Sequence, residues 1–174
     1  GKPLYARMGF VPEWTLTRWE HQGSPLGVEH VPDFIHAPAE EHWPAILALD
    51  TQACGVYRGP LLRSLAADSR RVLVYESRGS ILGFGMLRNG ARADYLGPMV
   101  AQPGLGEQLA QCMLSGHGDQ PIFWDIPDLN QLASDLARRL GFTLHRRLTR
   151  MYLETNRVPS NPYRQWAIAD PATG

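Results

Sequence analysis

One stretch of this chain has the makings of an anion site. Asp94-Tyr-Leu-Gly-Pro-Met-Val-Ala-Gln-Pro-Gly-Leu-Gly-Glu-Gln-Leu109 reads as a half-buried strand that passes through a glycine-bearing turn into a helix. A strand feeding a helix this way aims several backbone N–H groups, and the positive end of the helix dipole, at one point where an anion binds. Other chemistries find less support. The six histidines show no HExxH or similar metal-ligand spacing, so no metal is expected. Cys54 and Cys112 lack a CxxC or Cys/His partner and read as reduced thiols packed in or near the core. Gly83-Phe-Gly85 lies inside a hairpin strand and does not open a helix, so it is no dinucleotide fingerprint.

The elements that must position this stretch follow from pattern and turn chemistry. Helices are expected over 40–49, with Pro44 in the first turn, and over 59–67, with Pro60 at the favoured first position. Strands 71–77, 81–88 and 93–101 are joined by Arg78-Gly79 and Asn89-Gly90, which makes them consecutive and antiparallel. A helix over 103–114 crosses to a strand at 121–126, parallel to the one before the helix. A helix over 129–140, capped by Gly141, and a strand over 144–154 complete the set, and Tyr163, Trp166 and Ile168 suggest that the tail packs back.

The totals suit one soluble domain: 174 residues, 44% hydrophobic, 20% charged and a formal net charge of zero. Neutrality argues against nucleic acid as a partner. No apolar run reaches the ~18 residues needed to span a bilayer, and no signal-peptide pattern opens the chain, so no membrane partner and a cytoplasmic location are expected.

The beginning repeats the end. Leu4, Arg7, Gly9, Phe10, Leu16, Thr17 and Arg18 match Leu136, Arg139, Gly141, Phe142, Leu148, Thr149 and Arg150, each 132 positions further on. That offset is about one domain length. The match reads as the helix end and last strand of a preceding copy, against the alternative of two helix-cap-strand units alike for local reasons. The expected division is a remnant over 1–20, a linker over 21–33, the main domain over 34–154 and a packed tail over 155–174. The strand at 11–19, with Trp14 and Leu16, is expected to pair within the sheet or across a homodimer.

The order of elements resembles the GCN5-related N-acetyltransferase (GNAT) family, on Gly97-Pro-Met-Val-Ala-Gln-Pro-Gly-Leu-Gly106, Asn130-Gln-Leu-Ala133 and Leu140-Gly-Phe142. The segment Trp166-Ala-Ile-Ala-Asp-Pro-Ala-Thr-Gly174 is similar to the C-terminal tail of one tandem branch of that family. The resemblance implies an α/β (α+β) fold: a mixed, mostly antiparallel sheet with a splayed parallel strand pair and helices on both faces. It also implies acetyl-CoA as cosubstrate, lying in the wedge of the splayed pair. Met99 and Val100 would then meet the pantetheine arm, and Gln102, Gly104, Leu105, Gly106 and Glu107 would surround the pyrophosphate. Asn130 stands where the family often has an asparagine that reaches the cofactor. Ala101 falls where the family's turn carries Gln or Arg, and Ala137 where the family often has a tyrosine that protonates the departing thiolate.

Acetyl transfer to an amine needs a base, a polarised carbonyl and a proton for the thiolate. Asp125, Tyr95 and Asp94 are the catalytic candidates on strands near the expected wedge, with Glu76 further off. Asp94 and Glu76 otherwise read as solvated strand-face residues, and His42 and His117 as exposed. Arg58 and Tyr57, in the loop that roofs the acceptor site in the family, are the substrate-binding candidates; a surface position is the alternative for Arg58. Two functions remain: an acetyl-CoA-dependent N-acetyltransferase acting on a small primary amine, and a catalytically silent domain of the same fold that binds CoA weakly or docks a protein.

Overall fold

The computed structural model describes residues 2–24, 26, 30–153 and 160–171. Parts of the expected linker and tail, and Glu154, lie outside these. The elements are α1 (Lys2–Arg7), β1 (Phe10–His21), β2 (Ile35–His36), α2 (Trp43–Cys54) after a 3-10 turn, and α3 (Gly59–Ala67). Next come β3 (Ser69–Ser77), β4 (Ser80–Arg88), β5 (Asp94–Ala101), α4 (Gly106–Leu114), β6 (Ile122–Pro127), α5 (Gln131–Arg139), β7 (Thr143–Leu153) and β8 (Gln165–Ala167).

One sheet runs in the order β2-β3-β4-β5-β6-β1-β7, with β8 paired to β5 off this path. Only the β5–β6 pair is parallel among the described strands. The strand period of two sends alternate residues to opposite faces. On β5, Val100 joins Trp43, Ile46, Leu62 and Phe84 under α2 and α3, while Met99 and Ala101 join Leu109, Met113, Trp124 and Trp166 on the α4 side. Helices thus cover both faces, as the sequence implies.

The element at 103–114 starts later than its pattern suggests. Gly104 sits at φ +84, a left-handed conformation that ends any helical run through it, and the helix begins at Gly106. Asn130 caps α5 by accepting from the Ala133 amide at 3.1 Å.

The N-terminal strand lies inside the sheet. Over Leu16–Glu20, β1 is flanked by β6 on one side and β7 on the other, which leaves this stretch no free edge. Leu16 sits directly opposite Leu148, its counterpart in the internal repeat.

Candidate functional site

The parallel strands run together only briefly. Asp94, Tyr95 and Leu96 pair with Ile122, Phe123 and Trp124, after which β5 and β6 part. A splayed pair leaves two unmatched rows of backbone donors and acceptors, which some other group must satisfy. In this chain the group is the chain's own tail.

The tail enters the opening as β8. Met99 stands opposite Ala167 and Val100 opposite Gln165, and the Ala101 amide donates to the Arg164 carbonyl at 3.2 Å. The far side is joined as well: the Ile168 amide donates to the Asp125 carbonyl at 3.0 Å, and the Trp124 indole N–H to the Trp166 carbonyl at 2.7 Å. Asn130 donates through Nδ2 to the carbonyls of Gln165 (3.1 Å) and Tyr163 (3.3 Å). Gln165 reaches across to donate to the Ala53 carbonyl at 2.9 Å.

Packing reinforces these bonds. Trp166, Ala167, Ile168 and Ala169 are each at most 3% exposed. The Trp166 indole lies against Gly106, where an added β-carbon would come within 1.9 Å of the ring. A side chain at Gly97 would collide with the Ile168 carbonyl in the same way. Arg88 ties the end of the tail to β5, donating to the Gly97 carbonyl at 2.6 Å and to the Ala169 carbonyl. Burial pulls the Arg88 pKa below its usual value.

As arranged, the wedge does not fit acetyl-CoA. The β5 edge that the resemblance gives to the pantetheine arm is bonded to β8, and Trp166 covers the first residue of α4. Gln102 donates to the Leu82 carbonyl at 2.9 Å and accepts from the Leu105 amide at 3.2 Å, while Glu107 pairs with Arg139 at 2.7 Å on the surface. Met99, Val100 and Gly106 are buried, and Leu105 precedes the first turn of α4.

Two of the catalytic candidates, Asp125 and Asp94, are held in ion pairs. Asp125 receives both Arg18 donors, Nε at 2.7 Å and the terminal nitrogen at 2.6 Å, and both side chains are buried. That bond raises the Arg18 pKa against the opposing effect of burial. Tyr95 lies between two guanidinium groups, Arg18 at 5.4 Å and Arg88 at 5.6 Å from its ring centroid. Asp94 is 3% exposed, not solvated: it meets His117 Nε2 at 3.0 Å and Arg70 at 3.4 Å. His117 is correspondingly buried, at 4% exposure. Glu76 sits apart at 3.0 Å from His36 Nε2.

Arg58 is neither a surface residue nor open to a ligand. Its Nε and a terminal nitrogen donate to Asp50 at 2.8 and 2.9 Å, and Asp50 is fully buried on α2. Burial opposes the Arg58 charge, yet the Asp50 bond leaves its pKa raised. Asp50 also accepts from the Cys54 thiol at 3.7 Å, and burial pushes that thiol up to about 12. Tyr57, by contrast, is 68% exposed. Asp50, Arg88 and Arg18 are the residues that sequence reasoning missed. Asp50 and Arg58 are eight positions apart across a helix end, a spacing with no periodic signature, while Arg18 lies on a strand that the sequence pattern sets apart from residues 34–154 and that the structure places inside the sheet.

Comparison with known proteins supports the fold. The family model described as an acetyltransferase (GNAT) domain matches residues 46–167, a stretch that takes in β8 and leaves out β1. No curated protein matches the sequence significantly. Among solved structures, a candidate acetyltransferase from Pyrococcus horikoshii is similar over 100% of this chain and 57% of its own, with a TM-score of 0.77 and 24% identity. A candidate GNAT acetyltransferase from Novosphingobium aromaticivorans covers 84% of this chain and 69% of its own (TM-score 0.65, 16% identity). A GCN5-related N-acetyltransferase from Sphaerobacter thermophilus covers 85% and 54% (TM-score 0.58, 17% identity). This chain therefore spans little more than half of the Pyrococcus protein it resembles. Among the described residues, no helix is long and apolar enough to cross a membrane, and no cluster of three or more potential metal ligands occurs. By the family match over most of its length and by its fold, the chain belongs to the GNAT acetyltransferase family.

Proposed function

We propose that this chain is an acetyltransferase-fold unit that does not take acetyl-CoA into its own wedge and serves as the structural partner of a second acetyltransferase-fold unit. The observation that carries the reading is β8 bonded into the splayed β5–β6 pair with Trp166 against Gly106. Magnitudes favour it. Fully burying a large apolar side chain is worth about 1.5–3 kcal/mol, so expelling Trp166 and Ile168 alone costs roughly 3–6 kcal/mol. That lowers the affinity of any ligand needing the same space by roughly two to four powers of ten. The family match extends through Ala167, so the strand filling the wedge belongs to the matched domain.

The internal repeat supports the partner role. The segment from α1 through β1 has the cap, strand and register of a last helix and last strand, and we read it as the end of a preceding copy. The second reading is acetyl-CoA-dependent acetylation of a small primary amine. Family membership favours it, and the β5 edge and α4 N-terminus persist beneath the tail. It requires the tail to leave. A thermal-shift titration with acetyl-CoA decides between the two. The partner reading expects an unmoved melting temperature at millimolar acetyl-CoA. A ligand at 100 times its dissociation constant adds about 2.7 kcal/mol and shifts the melt by several degrees, the outcome that favours the enzyme.

A further inference from the structure

The internal repeat is more than a sequence match, because the pairing of β1 with β7 obeys it. Exchanging each residue for its counterpart 132 positions away turns the pair Thr15–Thr149 into Thr17–Arg147, Trp14–Arg150 into Arg18–Arg146, Pro12–Met151 into Trp19–Leu144, and Val11–Tyr152 into Glu20–Thr143, all of them observed. Leu16–Leu148 maps onto itself. Even the irregularities obey the rule: the pairing skips Glu13 on β1 and His145 on β7, which are themselves counterparts. The two strands are related by a local two-fold axis through Leu16 and Leu148.

That axis relates the two outer edges of the strand pair, and among the described strands only one of them is occupied. On β1, Leu16–His21 pairs with β6, and Arg18 lies opposite Asp125 and binds it. The counterpart on β7 is Leu148–Leu153, with Arg150 in the place of Arg18. β7 ends the sheet, so among the described strands this edge has no partner. Unpaired edge strands offer a row of free amides and carbonyls to a further strand. A second copy of this chain is a poor occupant. Self-pairing would bring Arg146 and Arg147 of β7 close to the same residues of the other copy, and like charges across a strand pair repel. The β6 of a second copy is moreover already flanked by β5 and β1.

We propose that the edge of β7 over Leu148–Leu153 seats a strand equivalent to β6, supplied by an acetyltransferase-fold unit that precedes Lys2 in the same polypeptide; Arg150 itself is already paired with Glu13 of β1 at 2.9 Å. Each unit then lends its last strand to the other's sheet: β1 sits between β6 and β7 here, and β7 sits between β1 and the incoming strand there. This rests on the partner-unit reading above and adds to it the edge and the register of the contact.

Hydrogen exchange read by mass spectrometry on the peptide containing Leu148–Leu153 tests the proposal, comparing residues 1–174 alone with the full natural polypeptide. The proposal expects this segment to exchange at least about tenfold more slowly in the latter. A second acetyltransferase-fold unit that leaves the exchange unchanged overturns the edge assignment while the partner-unit reading stands. A polypeptide with no such unit overturns both. A mass of twice 19.4 kDa in solution for residues 1–174, with this segment already protected, makes a second copy the occupant and also overturns the proposal.

Discussion

The indole of Trp166 rests against Gly106 so closely that even a methyl group has no room between them. A residue whose lack of a side chain suits a phosphate turn is here the floor for a tryptophan 60 positions away. Gly106→Ala is expected to destabilise the fold by about 1–3 kcal/mol through overpacking. Combined with Trp166→Ala, the penalties should fall short of their sum, because each change relieves the other's collision. Urea denaturation of the two single variants and the double variant measures this coupling.

Arg88 bridges the Gly97 and Ala169 carbonyls and so fastens the tail to β5. Arg88→Met keeps the stem and removes the donors, leaving the carbonyls of the buried Gly97 and Ala169 unmet at a cost of about 1–3 kcal/mol each. The loss should fall on the tail first. Limited proteolysis is expected to cut after Tyr163 or Trp166 sooner in the variant than in the parent, while the rest of the chain stays resistant.

The Arg18–Asp125 pair joins β1 to β6 through two short bonds in a buried setting. Asp125→Ala leaves a buried guanidinium without its partner and should cost about 3–5 kcal/mol. Replacing both residues, Arg18→Met with Asp125→Leu, should restore most of the loss, since well-packed apolar pairs often match buried ion pairs. A double variant as unstable as the single one would show that the charges themselves are needed there.

Cys54 gives a pH dependence with a definite sign. Its thiol has an ordinary pKa of 9.0 and is held up to about 12 in the fold by burial. Unfolded chains therefore lose this proton first. The contribution to stability is complete below about pH 9 and falls as pH rises toward about 12. Native protein at pH 8 should resist thiol-specific reagents at Cys54 and react on addition of denaturant. Cys54→Ala should flatten the alkaline loss of stability.

Much of this was legible in the sequence, and the remainder failed for identifiable reasons. Asn89-Gly90 and Arg78-Gly79 fix the meander because their turn geometry suits few other residues, and the apolar Trp14 and Leu16 mark β1 as a strand that needs partners in the sheet. The wedge itself follows from the order of elements. Its occupant does not: Trp166 and Ile168 announce only that the tail is apolar, and the collisions that define their seat lie at Gly97 and Gly106, which read equally well as cofactor glycines. Asn130 misleads in the same way, since a side chain able to reach a cofactor amide reaches the Gln165 carbonyl just as well. Buried ion pairs such as Asp50–Arg58 join residues whose spacing carries no periodic signal.

The central claim is that the tail holds the wedge against acetyl-CoA, and a calorimetric titration of the 174-residue chain with acetyl-CoA tests it most directly. The account expects no saturable heat at ligand concentrations up to about 1 mM, in keeping with the roughly 3–6 kcal/mol needed to expel Trp166 and Ile168. Saturable one-to-one binding in the micromolar range, with β8 still intact in the sequence, would contradict it.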